Sequence, residues 1–173
     1  MKLTDTHIHL SDNRYVEYGL TQLVEESSTH GVARLISLGT SFQDSQENQN
    51  IAHHYPEVYF GAGVHPHDAG QMEGSDRFNA LYEDKKCIVV GEVGLDYYYE
   101  YSPAEQQKKV FEHFLDKARS FKLPVSIHIR DAEQDALEIM KEYSDLTMVC
   151  HSYTGSESSL SKMLKLGCYI SVN

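Results

Sequence analysis

Asp5-Thr6-His7-Ile8-His9-Leu10 decides how the rest of this 173-residue sequence is interpreted, because it follows the first predicted strand with two imidazoles. In an open, doubly wound α/β sheet, the first such turn usually carries a glycine-rich phosphate loop. The sequence contains neither a G-x-G-x-x-G motif nor a P-loop motif. The first turn therefore favours a closed (β/α) barrel with histidines at its mouth over an open nucleotide-binding sheet.

The chain alternates short apolar runs with amphipathic stretches along its length, which is typical of βαβ units around a parallel sheet. Seven strands are predicted, at Lys2–Asp5, Ala33–Leu38, Val58–Val64, Cys87–Glu92, Val125–His128, Thr147–Cys150 and Cys168–Val172. Six helices are predicted between them, at Tyr15–His30, Phe42–His54, Asp76–Asp84, Pro103–Phe121, Ala132–Tyr143 and Glu157–Leu166. A complete TIM-type barrel has eight strands and about 250 residues. The predicted fold class is therefore α/β, an incomplete TIM-type (β/α) barrel, in a single domain of residues 1–173.

The fourth predicted helix has the clearest boundaries and the clearest buried face. Ser102, Pro103 at the first helical position and Glu105 three residues after the cap predict a capping box. The apolar residues that recur at helical spacing, and are expected to face the sheet, are Val110, Phe114, Leu115 and Ala118.

Six of the ten histidines fall at or just past the carboxyl ends of predicted strands: His7, His9, His65, His67, His128 and His151. In a barrel all of these ends lie on one face, and Glu92 ends the fourth predicted strand at the same face. Residues two apart on a strand point to one side, about 6.6 Å apart along it, so the H-x-H motif can chelate one ion. A carboxylate among neutral imidazoles suits a divalent cation such as Zn, Mn or Mg.

Five motifs, in this order, carry a family resemblance: Asp5-Thr6-His7-Ile8-His9-Leu10, Gly63-Val64-His65-Pro66-His67, Gly91-Glu92-Val93-Gly94-Leu95-Asp96-Tyr97, Pro124 to His128-Ile129-Arg130, and His151-Ser152-Tyr153-Thr154-Gly155. The sequence resembles the TatD family of deoxyribonucleases. This resemblance implies a two-metal phosphodiesterase that cleaves DNA, commonly from an end. By matching motif, His7 and His9 would hold one divalent ion, His128 and His151 a second, and Glu92 would bridge them. Two such ions activate water and neutralise charge on the phosphate.

The sequence departs from the family pattern at its end. The family has an Asp-Pro motif after the eighth strand, whose Asp binds the first metal, whereas this sequence stops at Asn173 near the seventh strand. We expect weaker binding at the first metal site, and activity of this chain is an open question. The first and seventh strands are expected to have free edges, which a longer chain or self-association would cover.

Other polar residues at the predicted mouth have two interpretations each. Arg130 can hold a substrate phosphate in two hydrogen bonds or form an ion pair with Asp96 or another acid. His65 and His67 can contact the phosphate or orient a metal ligand, and His67 can instead cap its turn. The candidate catalytic residues are Glu92, Arg130 and His65. Asp96, predicted to lie on a loop, is expected to support a ligand rather than bind metal.

Aromatic residues follow that loop: Tyr97, Tyr98, Tyr99 and Tyr101. They can stack on unpaired bases or pack the loop against its neighbours, and the sequence favours neither interpretation. The histidines predicted on helices, away from the mouth, are expected to be solvated or to cap helices: His30, His53, His54 and His113.

Composition limits how a substrate can be held, where the protein is expected to lie and what its cysteines can do. The net charge of −11 provides no diffuse basic surface, so a DNA substrate must be held locally. No apolar run approaches the roughly 18 residues of a membrane span and no signal sequence precedes the first strand, so the cytoplasm is the expected location. Cys87, Cys150 and Cys168 lie in apolar runs and predict buried free thiols rather than a disulfide or a zinc-thiolate site.

A divalent-metal nuclease is therefore the leading hypothesis. One alternative is an amidohydrolase-like enzyme acting on a small amide or ester, although Glu92 stands where that group would have a carboxylatable lysine. The other alternative is a catalytically impaired scaffold that binds metal or a partner without turnover.

Overall fold

A computed structural model describes residues 2–72 and 74–172; the predicted domain also includes Met1, Glu73 and Asn173, which lie outside the described residues. Its centre is one sheet of seven strands whose spatial order is the chain order. The strands are β1 (Leu3–Ile8), β2 (Val32–Leu38), β3 (Val58–Ala62), β4 (Cys87–Asp96), β5 (Val125–Arg130), β6 (Met148–Cys150) and β7 (Tyr169–Ile170).

Helices connect the strands. They are α1 (Asn13–Tyr18), α2 (Leu20–Thr29), α3 (Phe42–His54), α4 (Asn79–Tyr82), α5 (Ala104–Phe121), α6 (Glu133–Lys141) and α7 (Glu157–Lys165). Two short 3₁₀ segments, Pro66–Gln71 and Ser75–Phe78, lie between β3 and α4. No helix in the described part of the chain is long and apolar enough to span a membrane.

Every neighbouring pair of strands is parallel. Because sequential strands are parallel neighbours, each helical connection between them crosses over the sheet with the same handedness. The sheet therefore curls into part of a barrel with the helices outside. The prediction of an α/β, incomplete TIM-type barrel is confirmed. The carboxyl ends of all the strands consequently lie at one edge of the sheet.

The helix α5 packs against this sheet as its apolar spacing predicts. Val110, Phe114, Leu115 and Ala118 are all buried. The Phe114 ring meets the ring of Phe78 edge to face, with centroids 5.1 Å apart. Burying a side chain of this size stabilises the fold by about 2 to 3 kcal/mol, and α5 packs against β4, the strand that carries Glu92. The three cysteines are buried free thiols, as predicted.

The predicted capping box at α5 is wrong. Pro103 precedes the helix, and no side-chain cap forms there. The Ser102 hydroxyl instead accepts from the Gly70 amide (2.9 Å) and donates to the His67 carbonyl (2.7 Å). The Ser102 hydroxyl therefore joins two loops that are distant in sequence, instead of capping α5 as the local sequence pattern predicted.

Two predicted helices differ from the observed ones. Tyr15–His30 is divided into α1 and α2 by Gly19, whose φ of 102° is one that residues with a Cβ rarely adopt. Asp76–Asp84 contains only part of the second 3₁₀ segment and the single turn of α4. Glycine at a chain reversal breaks a helical pattern even where the apolar spacing continues.

Candidate metal centre

The carboxyl ends of five strands bring polar side chains around one carboxylate, that of Glu92 on β4. Glu92 is only 3% exposed. The surrounding imidazoles follow or end the strands β1, β3, β5 and β6: His7, His9, His65, His128 and His151. All five have a ring nitrogen within 3.8 Å of a Glu92 oxygen. The structure thus gathers the predicted metal ligands and two of the three candidate catalytic residues into one cluster.

Two of the strands that contribute to the cluster, β1 and β4, have irregular register with a neighbouring strand. Between Asp5 and Ile8, β1 advances three residues while β2 advances two. Between Val90 and Val93, β4 does the same against β5. Such bulges redirect side chains. His7 and Glu92 lie within these two segments, so the strands depart from regular alternation at the residues that meet in the site.

The first half of the cluster is a triangle of possible donors to a metal. The Nε2 atoms of His7 and His9 are 3.2 Å apart, and each is 3.3 Å from Glu92 Oε2. Tetrahedral zinc with bonds of about 2.0 to 2.1 Å has ligand atoms about 3.3 Å apart. The three atoms therefore match one face of a coordination tetrahedron, and the donor set fits a divalent cation.

The second half surrounds the other Glu92 oxygen. Oε1 is 3.2 Å from His128 Nδ1 and 3.7 Å from His151 Nε2. His65 Nε2 lies 3.8 Å from the same oxygen. Each oxygen of one buried carboxylate thus faces a separate set of imidazoles, which is the arrangement that a bridging ligand requires.

Hydrogen bonds determine which ring nitrogen can bind a metal. His9 Nδ1 donates to the Leu38 carbonyl (2.8 Å), which leaves the Nε2 lone pair in the triangle. His128 Nε2 donates to Asp96 Oδ2 (2.9 Å), which leaves the Nδ1 lone pair facing Glu92. Partners of this kind select the tautomer and hold the ring of a metal-binding histidine. The sequence suggested a supporting role for Asp96 but not which histidine it contacts, and it gave no indication of the Leu38 carbonyl.

His65 has the opposite arrangement. Its Nδ1 accepts from the His67 backbone amide (3.2 Å), so the neutral ring carries its proton on Nε2. That proton points into the cluster, where it can be donated to a ligand. His65 is consequently better suited to contact a phosphate than to bind a metal.

The distances also allow a second grouping of the histidines beside the one that motif matching suggested. The His151 ring stacks on His7, with centroids 3.5 Å apart, and His7, Glu92 and His151 form one possible ligand group. His65, Glu92 and His128 form another. The proposed sharing of ligands between two ions, His7 with His9 and His128 with His151, stays a prediction.

Electrostatics in the cluster favour an ionised acid, and they shift the pKa values of the neighbouring imidazoles in both directions. Burial opposes ionisation of Glu92, but hydrogen bonds from its histidine neighbours outweigh it and hold its pKa well below the usual value. Burial lowers the pKa of His65 to about 3 and, with the nearby His7, that of His151 to about 4. Burial also opposes protonation of His9 and His128, yet Glu92 raises the pKa of both. The negative charge at the centre attracts cations.

The prediction that Asp96 lies on a loop is wrong. It is the last residue of β4 rather than a loop residue, and it is fully buried. Its Oδ2 atom lies 2.9 Å from both His67 Nε2 and His128 Nε2. Burial opposes its ionisation, but the Tyr99 amide and the two imidazoles outweigh this and lower its pKa. Asp96 thus contacts two imidazoles, and its expected role in supporting a metal ligand stays a prediction.

A glycine allows β4 and β5 to approach at this point. A Cβ added to Gly94, whose φ is 143°, would lie 2.0 Å from the carbonyl oxygen of His128. Any larger residue would displace the backbone that carries His128.

Arg130, the third candidate catalytic residue, ends β5 beside the cluster. Its guanidinium carbon lies 4.0 Å from the centre of the Tyr98 ring, and it has no ion pair with Asp96 or another acid of the described residues. It lines a cavity of about 440 Å³ together with Tyr98, His128 and His151. The expected alternative for Arg130, an ion pair, is therefore not the arrangement observed.

Comparisons with known proteins find similarity along nearly the whole chain. The family model described as "TatD related DNase" matches residues 4–173. The chain is 31% identical to "Uncharacterized metal-dependent hydrolase YabD" of Bacillus subtilis, over 98% of this chain and 68% of that protein. It is 30% identical to "3'-5' ssDNA/RNA exonuclease TatD" of Citrobacter rodentium, over 97% of this chain and 65% of that protein. The chain thus spans about two thirds of the length of these relatives.

Solved structures with the same fold include the TatD homologue YjjV of Escherichia coli K12, with a TM-score of 0.87 and 22% identity over 97% of this chain and 66% of that one. A hydrolase TatD family protein from Entamoeba histolytica superposes with a TM-score of 0.92 and 22% identity, over 99% of this chain and 65% of that one. At this identity the similarity establishes the barrel fold.

Proposed function

The chain belongs to the TatD-related DNase family, and from this premise we propose that it is a divalent-metal-dependent phosphodiesterase that removes nucleotides from the end of a DNA strand by a two-metal mechanism. The observation that carries the proposal is the buried Glu92 carboxylate, which directs one oxygen to His7 and His9 and the other to His128 and His151. A single carboxylate in this position can hold two cations next to each other.

The proposed chemistry divides between the ions and the side chains. Two bound divalent ions would supply activated water and neutralise charge on the phosphate. Glu92 and the histidines would hold the ions, and Asp96 keeps His128 turned so that Nδ1 faces the centre. His65 Nε2–H can donate to a phosphate oxygen, and the Arg130 fork can hold a second phosphate group. Glu92, His65 and Arg130 are therefore the proposed catalytic residues.

The polymer substrate is proposed from local features, because the net charge of −11 repels a polyanion at long range. A relative named as a 3'-5' ssDNA/RNA exonuclease supports an end-directed reaction on single strands. A cytoplasmic location accompanies this proposal, and Zn, Mn and Mg are the candidate ions. No specific feature of the site favours amide hydrolysis over phosphodiester hydrolysis.

The test combines metal binding with cleavage. Purified protein is stripped with EDTA, titrated with Mn²⁺ or Zn²⁺ by calorimetry, and then mixed with single-stranded DNA labelled at either end. We expect two ions per chain and stepwise shortening from one end. Glu92→Gln keeps the side-chain shape but removes the charge, and should abolish both results.

Cleavage without dependence on metal, or metal binding that Glu92→Gln leaves intact, would refute the mechanism. Metal binding without cleavage of DNA or RNA would leave the non-catalytic scaffold as the correct description of this chain.

A further inference from the structure

Three exposed tyrosines and one half-buried arginine lie beside the metal centre and are called here the tyrosine platform: Tyr98, Tyr99, Tyr101 and Arg130. The three rings are 56%, 45% and 68% exposed, respectively. Tyr99 and Tyr101 are parallel, with an interplanar angle of 2° and centroids 5.5 Å apart, and Tyr98 meets Tyr99 edge to face at 4.8 Å. Several large rings exposed together mark an interaction surface more than scattered ones do.

The arginine of the platform is held by rings rather than by acids. Its guanidinium carbon lies 4.0 Å from the Tyr98 centroid and 4.8 Å from the Tyr99 centroid. Arg119, at the opposite end of the barrel, also stacks on a tyrosine, Tyr143 (4.5 Å), but its Nε donates to Asp145 at 2.9 Å. Among the described residues no carboxylate satisfies Arg130 in this way. Its N–H groups remain available to a phosphate.

The platform is continuous with the metal centre. The His67 ring meets the rings of Tyr99 (5.4 Å) and Tyr101 (4.8 Å), and His67 shares Asp96 with His128. Tyr98 and Arg130 line the same 440 Å³ cavity as His128 and His151. A nucleotide whose phosphate lies at the metal centre would therefore have its neighbouring base beside the rings.

Tyr97 does not belong to this surface, although it begins the same aromatic run. Its hydroxyl donates to Asp135 at 2.8 Å, and its ring packs against the hydrophobic core. The two interpretations of the run thus apply to different members: Tyr97 packs the loop, and the next tyrosines face solvent.

We propose that the tyrosine platform stacks an unpaired base next to the scissile phosphate, while Arg130 holds the adjoining phosphate. This inference rests on the proposed function, and it adds the residues that select single-stranded ends. A base in a duplex is already stacked and paired, so the platform can accept it only after the end has opened. One base–aromatic contact strengthens binding by about tenfold, and it depends on the base rather than on the charge.

The experiment separates the base from the phosphate. Binding of a 5'-fluorescein hexathymidylate and of an abasic hexamer with the same phosphates is measured by fluorescence anisotropy in EDTA, where the strand is not cleaved. The wild type should bind the thymidine strand about tenfold more tightly than the abasic strand. Tyr98→Leu with Tyr99→Leu should remove this preference, whereas the two Tyr→Phe changes should retain it. Tyr143→Leu, which disrupts the Arg119 stack away from the mouth, is the matched control.

Equal binding of the two strands by the wild type, or no binding of either, would overturn the proposal. So would a Tyr→Leu variant that loses affinity for both strands alike, because the rings would then only support the loop. Circular dichroism confirms that each variant is folded. Since no metal is present, the outcome is independent of whether DNA cleavage is found.

Discussion

At the scale of single residues, Asp96 shows how a side chain without direct access to solvent can govern the metal centre. Its Oδ2 atom accepts from His67 and His128, and its Oδ1 atom accepts from the Tyr98 and Tyr99 amides. One carboxylate thus links a proposed metal ligand with the loop that carries the tyrosine platform.

We expect Asp96→Asn to weaken metal binding by about 10- to 100-fold, because the amide offers one acceptor where the carboxylate offers two and His128 loses a fixed orientation. Calorimetric titration with Mn²⁺ measures the change. Asp84→Asn is the control, since Asp84 also accepts from an imidazole, that of His53 (2.7 Å), but lies away from the site. Unchanged affinity in Asp96→Asn would show that His128 is oriented by other contacts.

His113 presents a different residue-scale effect. Its Nε2 atom is buried and lacks a hydrogen-bond partner within the described residues, and burial lowers its pKa. Below its ordinary pKa of about 6.5 the unfolded chain takes up a proton more readily than the folded chain, so this residue destabilises the fold as pH falls.

His113→Leu should therefore raise the free energy of unfolding by about 1 kcal/mol at pH 8, because it removes an unsatisfied polar atom. The gain should increase when urea denaturation is repeated at pH 5. His30→Leu should give no such gain, because His30 is exposed and its Nδ1 donates to the Glu26 carbonyl at 2.8 Å. A gain that is independent of pH would contradict the assigned protonation effect.

At the scale of secondary-structure elements, the loop after β3 and the loop before α5 depend on each other. Ser102 joins them through Gly70 and the His67 carbonyl, and it is only 3% exposed. The first loop carries His65 and His67, and the second carries the three tyrosines of the platform. The position of His65, the proposed phosphate contact, is thereby coupled to the loop between β4 and α5, whose tyrosines would stack on the base.

Ser102→Ala should lower the free energy of unfolding by about 1 to 3 kcal/mol, since it removes the two hydrogen bonds that join the loops. Urea denaturation measures the loss, and amide hydrogen exchange at Gly70 should become faster. Ser120→Ala removes an exposed hydroxyl that bonds the Asp116 carbonyl, and should change stability by less than about 0.5 kcal/mol. Equal effects of the two substitutions would argue against the loop–loop role.

At the scale of the whole molecule, the metal centre joins strands from β1 to β6, so ligand binding should stabilise the entire sheet. A cation that binds only the folded chain at 100 times its Kd adds about 2.7 kcal/mol of stability. For a chain of this size that corresponds to a rise in Tm of about 5 to 10 °C. Thermal unfolding in EDTA and in Mn²⁺ provides the measurement. Glu92→Gln should show little of the rise, and an equal rise in that variant would place the ions elsewhere.

Self-association across the edges of β1 and β7 stays a prediction. Within the described residues these two strands are the outer members of the sheet order, and Leu3 and Tyr169 are exposed on them. Sedimentation of the protein at several concentrations would test it.

The sequence by itself determined the barrel and the membership of the site. The βα alternation predicts parallel strands, and parallel strands in sequential order place their carboxyl ends together. A histidine or an acid directly after a strand must then reach the same mouth, whichever strand it follows. This is why His7, His65, Glu92, His128 and His151 could be assembled without knowledge of any contact between them.

Only the tertiary structure decided how these residues act. The tautomers of His9 and His128 depend on Leu38 and Asp96, and that of His65 depends on a local turn. The stacking of His151 on His7 and the use of Ser102 between two loops likewise join residues far apart in the chain. Whether two groups form a hydrogen bond depends on differences of a few tenths of an ångström in the distance between separate elements. Sequence spacing specifies the strand end at which a residue lies but not which neighbouring atom it faces.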